Sequence, residues 1–381
     1  MAISDSETAR ALSKLREWAR REVRGCVVSA ADGTPMYTPD GVRNYDALWT
    51  RDAAYIAMNA PEEVPLDHLV GWIEMLTAHL REEDGWPPDR VYADGTPVYS
   101  AGRAEEPAGL PNLDNAAFLT LMIDACLRRC DAAAAAERFG RWEPALTRAL
   151  SAVPLDARGL VYNDPASPHS PYGFTDCVGK TGSLMMESLL LWQAFRALVR
   201  WRRATGRSAG EAETAAEKIE RALVPVFHNR EGMLNAATGD CRQTDVWGSC
   251  FAVSCGFPLE ETVRESIARW MTAHYDEVVQ DGQLRHLPGG EYWQRLLCPV
   301  RRDEYQNGAY WATASGWLID TLRISSPDLA RRALLDLTRY FDQYGIFECV
   351  NGDRRKLPHY VASIVNVLPA ARSLATGGAA G

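Results

Sequence analysis

Two kinds of helix alternate along this chain, and that alternation limits its fold more than any other feature. Hydrophobic periodicity places helices over 6–27, 51–59, 66–82, 113–131, 133–151, 182–204, 209–227, 245–255, 258–274, 309–323, 326–343 and 359–374. One kind is amphipathic with charged faces, as in DHLVGWIEMLTAHLREE and AGEAETAAEKIERALVPVF. The other is apolar or small on most faces, as in DNAAFLTLMIDACL, GSLMMESLLLWQAFRALV, DVWGSCFAVSCG, AYWATASGWLIDTL and YVASIVNVLPAARSL. A helix that is apolar all round has to be buried all round. The apolar helices begin near Asp52, Asp114, Thr181, Asp245, Gly308 and His359, roughly 50 to 70 residues apart, which is the recurrence of one repeated helical hairpin.

Connection lengths turn the repeat into an architecture. Links from an apolar helix to the next amphipathic one are short, as at 130–132, 256–258 and 325–327. Links in the other direction, at 83–112, 152–181, 228–244, 275–308 and 344–358, are long and rich in Gly, Pro and aromatics. In an up-down arrangement all the long links fall on one rim, and long loops in a compact domain usually carry function. The expected fold is all-α: an (α/α)6 barrel of six hairpins in inner and outer rings, one catalytic domain over residues 1–381, with its site at the mouth. No change of composition separates the two halves.

Composition narrows the partners. A formal net charge of -9 argues against nucleic acid, whose phosphates need a basic face. No run of about 18 uncharged apolar residues is present, so no membrane span is expected. The first thirty residues form a charged amphipathic helix without a signal-type apolar core, which points to the cytoplasm. Nine cysteines lack CxxC or zinc-type Cys/His spacing, so buried reduced thiols are expected, with no metal and no organic cofactor. Cys126 and Cys130, and Cys250 and Cys255, are close in sequence without completing a ligand set.

The long links deliver carboxylates and rings to the mouth. In PYGFTDCVGKTGSLMMESLLLWQAFRAL, Asp176 sits in a Gly- and aromatic-rich loop just before a helix that is apolar on nearly every face. Desolvation there disfavours the charged carboxylate, so Asp176 is the candidate general acid. Other links bring Trp49 and Asp52, Trp86, Asp114, Tyr172, Asp245 and Trp247, Trp293, Glu304 and Asn307. Twelve Trp and fourteen Tyr are many for an acidic chain, and flat rings suit the C–H faces of sugars while carboxylates and amides suit their hydroxyls. Tyr172, Trp247, Trp293 and Trp311 are the expected sugar platform. Arg51, Asp52, Asp114, Asn115, Gln306 and Asn307 are the expected hydroxyl partners. Asp52, Asp114 and Asp245 also stand at helix starts, where an Asp commonly caps backbone N–H groups. GKTG at 179–182 reads as a turn entering a helix, although its Lys180 is kept among the substrate contacts. Arg285, His286, Arg301 and Arg302 are either solvated loop charges or a site for a substrate carboxylate or phosphate.

The run FTDCVGKTGSLMMESLLLWQAFRAL resembles the acid-bearing stretch of glycogen-debranching-type and processing α-glucosidases, inverting glycoside hydrolases of the six-hairpin clan. WTRDAAY at 49–55, EYQNGAYWATASGW at 304–317, and GIFECVNGD followed by HYVASIVNVL are similar to other segments of that clan. The resemblance implies Asp176 as general acid and Glu348 as general base, with Glu304 as the competing base. Long loops on every side of the mouth predict a pocket that removes a terminal sugar from a small cytoplasmic glycoside, the clan implies α-linked glucose, and the protein is expected to be a monomer or homo-oligomer. Glu187 and Ser188 depart from the Glu-Ile-Asn run of the debranching pattern, and no β-sandwich domain is appended. Two alternatives stay open: a sugar epimerase or isomerase using His286 and His359, and a uronate lyase with a tyrosine acid.

Overall fold

The computed structural model describes residues 5–103 and 105–376. Its helices are α1 (Asp5–Gly25), α2 (Thr50–Asn59), α3 (Leu66–Ala78), α4 (Asn115–Leu127), α5 (Ala132–Ala152), α6 (Met185–Ala204), α7 (Gly210–Phe227), α8 (Val246–Ser254), α9 (Glu261–Ala273), the single turn α10 (Tyr275–Val278), α11 (Ser315–Ser325), α12 (Pro327–Tyr344), α13 (Val361–Val365) and α14 (Leu368–Thr376). Around the inner ring α2 packs on α4, α4 on α6, α6 on α8, α8 on α11 and α11 on α14, while α13 returns to α2 and closes the circle. Helices α1, α3, α5, α7, α9 and α12 lie outside them. The architecture is the expected (α/α)6 barrel.

Residue pattern explains which ring each helix joins. Every residue of α4 except Ala125 is buried, because no face of NAAFLTLMIDACL is polar. In α5 the buried positions are Ala135, Phe139, Trp142, Leu146, Ala149 and Leu150, one stripe at helical spacing, so its charged side remains in water. Asp131 caps that helix by accepting from the Ala134 N–H. Helix α12 starts at a proline, buries one stripe from Ala330 to Phe341, and stops at Gly345, whose φ of 95° L-residues seldom adopt. One core cluster runs from Ala11 to Leu374, and a small satellite holds Val178, Ala236, Cys241, Leu287 and Trp293. Among the described residues no helix is long and apolar enough to cross a membrane.

Three features stand out against the sequence expectation. The last inner helix is not continuous over 359–374: it breaks between α13 and α14, where Pro369 has no N–H to give the Val365 carbonyl and its ring crowds that turn. Helix α11 begins at Ser315 and not at 309, because Tyr310 and Trp311 are extended and bridge to Val350 and Leu284. The long links also hold strands. Ala47–Trp49 pairs with Arg90–Tyr92, which pairs with Pro97–Val98, and Phe347–Asn351 pairs with Arg354–Pro358 as an antiparallel hairpin.

Candidate active site

Asp176 directly follows a one-turn 3-10 helix, Gly173–Thr175, in the link that enters α6. Three contacts fix this turn. The Gly173 N–H donates to Asp114 Oδ2 at 2.8 Å, Gln306 Nε2 donates to Asp176 Oδ1 at 2.6 Å, and the Cys177 N–H donates to Gln306 Oε1 at 2.9 Å. Gln306 therefore grips both Asp176 and the residue after it. Beneath the turn lies Arg51, buried and ion-paired with the fully buried Asp89 at 2.6 Å. A Cβ on Gly173 would overlap the Arg51 side chain, so only glycine allows the backbone this close. Gly173→Ala is expected to cost about 1–3 kcal/mol through overpacking and to lower turnover, since Asp176 must move with the turn. Thermal melts and kcat check this, and an unchanged value of both would contradict it.

The second carboxyl group comes from the opposite side of the mouth. Glu348 is on the Phe347–Asn351 strand, only 1% exposed. The Tyr45 hydroxyl donates to its Oε1 at 2.7 Å, and the Lys356 ammonium lies 3.2 Å from its Oε2. Mutual pairing of Tyr310 and Val350, with N–O distances of 2.8 Å in both directions, anchors the strand to the segment before α11. The base candidate is thus mounted on a hairpin.

Asp176 and Glu348 line one cavity, with Pro39, Tyr45, Trp49, Arg51, Asp52, Gly173, Phe174, Tyr305 and Tyr360. Its volume is about 30 Å³, far below the roughly 300 Å³ of the smallest ordinary ligand pockets. Tyr305 is also a wall of a second, more open cavity of about 740 Å³, which begins at Cys177 and Cys349, the residues next to the two carboxyls. Cationic Arg301, Arg354, Arg355 and Lys356 line that space against Asp303 and Glu304.

The two groups share burial but differ in their charged partners. Burial raises Asp176 to about 6, opposed by Arg51 and the Gln306 hydrogen bond and assisted by Asp89 and Glu348. Burial also raises Glu348, but Lys356 and the Tyr45 hydroxyl favour its ionised form. Asp52 rises to about 7, first through burial, and accepts from the Tyr360 hydroxyl at 3.0 Å. Both carboxyl groups are thus pushed toward the neutral form by burial, with Arg51 favouring charge on Asp176 and Lys356 favouring charge on Glu348.

Of the other residues expected at the site, Trp49, Arg51 and Asp52 line the small cavity and Glu304 lines the large one, ion-paired with Arg354 at 2.7 Å. The three helix-start aspartates divide. Asp245 is a true cap, accepting from the Gly248 N–H at 2.8 Å; Asp114 holds the acid turn; Asp52 faces the cavity. Asn115 donates to the Pro87 carbonyl, and Trp86 donates to the Asn112 carbonyl while stacking on His169. Tyr172 shares a hydroxyl hydrogen bond with Tyr55 at 2.8 Å. Lys180 forms a buried ion pair with Glu187 at 2.7 Å. Trp247 donates to the Leu284 carbonyl and stacks on His286 at 3.9 Å; Trp311 donates to the Tyr305 carbonyl. The Trp293 indole donates to the Gln306 carbonyl, and its backbone N–H donates to the Asn307 side chain. These residues support the walls and do not line the small cavity. The cavity walls instead include Tyr45, Phe174 and Tyr360, which sequence reasoning missed. Tyr45 stands four residues before Trp49 in NYDALW, an aromatic pair on the first rim segment that was the available signal.

The expectation of reduced cysteines throughout is corrected. Cys177 and Cys298 form a disulfide with a Cα separation of 5.2 Å. They are 121 residues apart in sequence and meet because residues 177–179 and 295–297 pair through Leu297 N–H to Cys177 O and Gly179 N–H to Arg295 O. The link ties the acid loop to the segment bearing Gln306. Replacing both by serine is expected to lower stability by roughly 5 kcal/mol on a chain-entropy basis, and to lower kcat severalfold by loosening the Gln306 grip. Denaturant melts and turnover with and without dithiothreitol check this; a wild type indifferent to reductant would contradict it.

With this geometry in place the comparisons fall into order. No family model and no curated protein matches the chain, so the likeness lies in structure. A mannosylglycerate hydrolase from Thermus thermophilus, in complex with Tris, superposes with a TM-score of 0.67 at 15% identity, covering 93% of this chain and 99% of that one. A rhamnosidase from Klebsiella oxytoca with rhamnose bound gives 0.65 at 14%, covering 97% and 64%. A glucoamylase from Saccharomycopsis fibuligera gives 0.61 at 13%, covering 99% and 97%. The chain shares the (α/α)6-barrel fold of these structures. In that fold the small cavity occupies the mouth formed by the long links, where the sequence placed the site.

Proposed function

We propose that this protein is an inverting glycoside hydrolase that releases a terminal sugar, α-linked glucose foremost, from a small glycoside. The observation that carries the proposal is the convergence of Asp176 and Glu348 on one buried cavity with opposite partners. Asp176, protonated, donates to the departing glycosidic oxygen. Glu348, ionised, takes a proton from the water that attacks the anomeric carbon from the other face. Inversion requires the carboxyl groups roughly 6.5 to 9.5 Å apart, so that the water fits between. Glu304 is the weaker base candidate because it lies in the other cavity, bound to Arg354.

The larger cavity suits the leaving group. With Arg354 paired to Glu304 and Lys356 turned to Glu348, Arg301 and Arg355 remain against Asp303 and favour an aglycone with a carboxylate or phosphate, and one of the structures with this fold is the mannosylglycerate hydrolase in complex with Tris and D-glycerate. The isomerase alternative loses support. His286 is buried against Trp247 and pushed down to about 3 by burial, while His359 is tied to Glu22 at 2.8 Å on α1. Burial and nearby carboxylates keep Tyr45, Tyr305 and Tyr360 protonated, as a tyrosine acid requires, so the lyase alternative is told apart by its product, an unsaturated uronate in place of a hydrated sugar.

The test is a release assay by NMR on α- and β-linked disaccharides and on glucosyl and mannosyl conjugates of glycerol and glycerate. Wild type is expected to free a monosaccharide from at least one conjugate, and Asp176→Asn is not. Deuterium exchange at a sugar C–H without bond cleavage would overturn the reading.

A further inference from the structure

Lys356 lies on the strand hydrogen-bonded to the one that carries Glu348, opposite Cys349 in the register. Its side chain is about half exposed (48%) and walls the larger cavity, yet its ammonium turns back to Glu348 Oε2 at 3.2 Å. The same ammonium is 3.3 Å from the centroid of the Tyr305 ring. A ring attracts a cation without neutralising it, so Tyr305 holds the ammonium in place and leaves its charge for Glu348.

The remaining groups around Glu348 show why a cation is needed there. Tyr45 donates from the segment before α2, Asp52 faces it from α2, Asp176 from the acid loop, Tyr305 from the 301–309 segment, and Tyr360 from the start of α13. Two of these five are carboxyl groups and the other three are neutral phenols. Arg51, the cation that lines the small cavity, is ion-paired with Asp89. A carboxylate buried among other carboxyls takes up a proton unless a positive charge opposes it.

We propose that Lys356 is a positioning residue: its ammonium keeps Glu348 ionised and aimed across the cavity, and so sets the acid limb of the activity profile without touching the sugar. The inference rests on the reading of Glu348 as general base.

The experiment has two parts. In the first, difference infrared titration follows the Glu348 carboxyl band in the substrate-free protein, assigned by its loss in Glu348→Gln. Lys356→Met is expected to move that titration upward by about one pH unit or more, and Lys356→Arg to restore most of it. In the second, kcat and KM are measured against pH on a glycoside that wild type cleaves. The acid limb of Lys356→Met should shift upward by the same amount, with kcat falling about tenfold on that limb and KM little changed. An unmoved infrared titration overturns the proposal, whatever the activity. A shifted titration, in a protein that cleaves no glycoside or whose Glu348→Gln variant is fully active, leaves the charge coupling standing and removes the hydrolase reading beneath it.

Discussion

Asp176→Asn is expected to lower kcat by roughly 10²- to 10⁴-fold on a glycoside with a poor leaving group, with KM little changed. The amide fills the same space but has no proton to give to the glycosidic oxygen. The deficit should shrink as the leaving group improves, because an aryl aglycone departs without protonation. Asp176 also predicts the shape of the pH profile. With its carboxyl raised to about 6, kcat/KM in the wild type should fall as pH rises through about 6, because the acid is lost as it ionises. The sign follows from burial, which favours the neutral form, exceeding the pull of Arg51 toward the charged one. A variant that kept a tenth or more of wild-type kcat on a poor leaving group would remove Asp176 from the acid role.

Glu348→Gln is expected to cost a similar factor, roughly 10²- to 10⁴-fold in kcat, for a different reason. Glutamine can still accept from the Tyr45 hydroxyl, so the hairpin should stay in place, but it cannot take the proton of an attacking water. Improving the leaving group should not rescue this variant as it rescues Asp176→Asn, since the water still has to be activated. A second effect distinguishes a direct role from a structural one. Glu348 is one of the charges that raise Asp176, so its neutralisation should move the alkaline limb of the residual activity to lower pH. Full activity in Glu348→Gln, together with loss in Glu304→Gln, would transfer the base role to the other cavity.

Particular residues show why part of the site was legible in sequence and part was not. The ring order of the barrel follows from whole helices, such as α4 with no polar face and α5 with one apolar stripe, and these patterns are local. Asp176 could be picked out because a Gly-rich turn before an all-apolar helix places a carboxyl at a buried mouth. Glu348 had no such signal of its own and came from the family resemblance. Its hairpin reads as charged loop because RRKLP alternates exposed and half-buried positions on an edge. Trp247, Trp293 and Trp311 look like sugar platforms in one dimension, yet their indole N–H groups are committed to backbone carbonyls behind the cavity. Tyr45 and Lys356 meet Glu348 from 303 residues away and from the neighbouring strand, contacts that exist only once the barrel closes. The disulfide likewise joins residues 121 apart that no spacing rule pairs.

The most direct test of the central claim is the configuration of the sugar at the instant of release, followed by proton NMR in the first minutes of hydrolysis of an α-glucoside. If Asp176 and Glu348 act as acid and base on opposite faces, the first signal to grow is the β-anomeric proton, and the α-anomer follows only by mutarotation. An α-anomer appearing first would mean retention through a covalent intermediate, and the two carboxyl groups would then have different roles from those assigned to them.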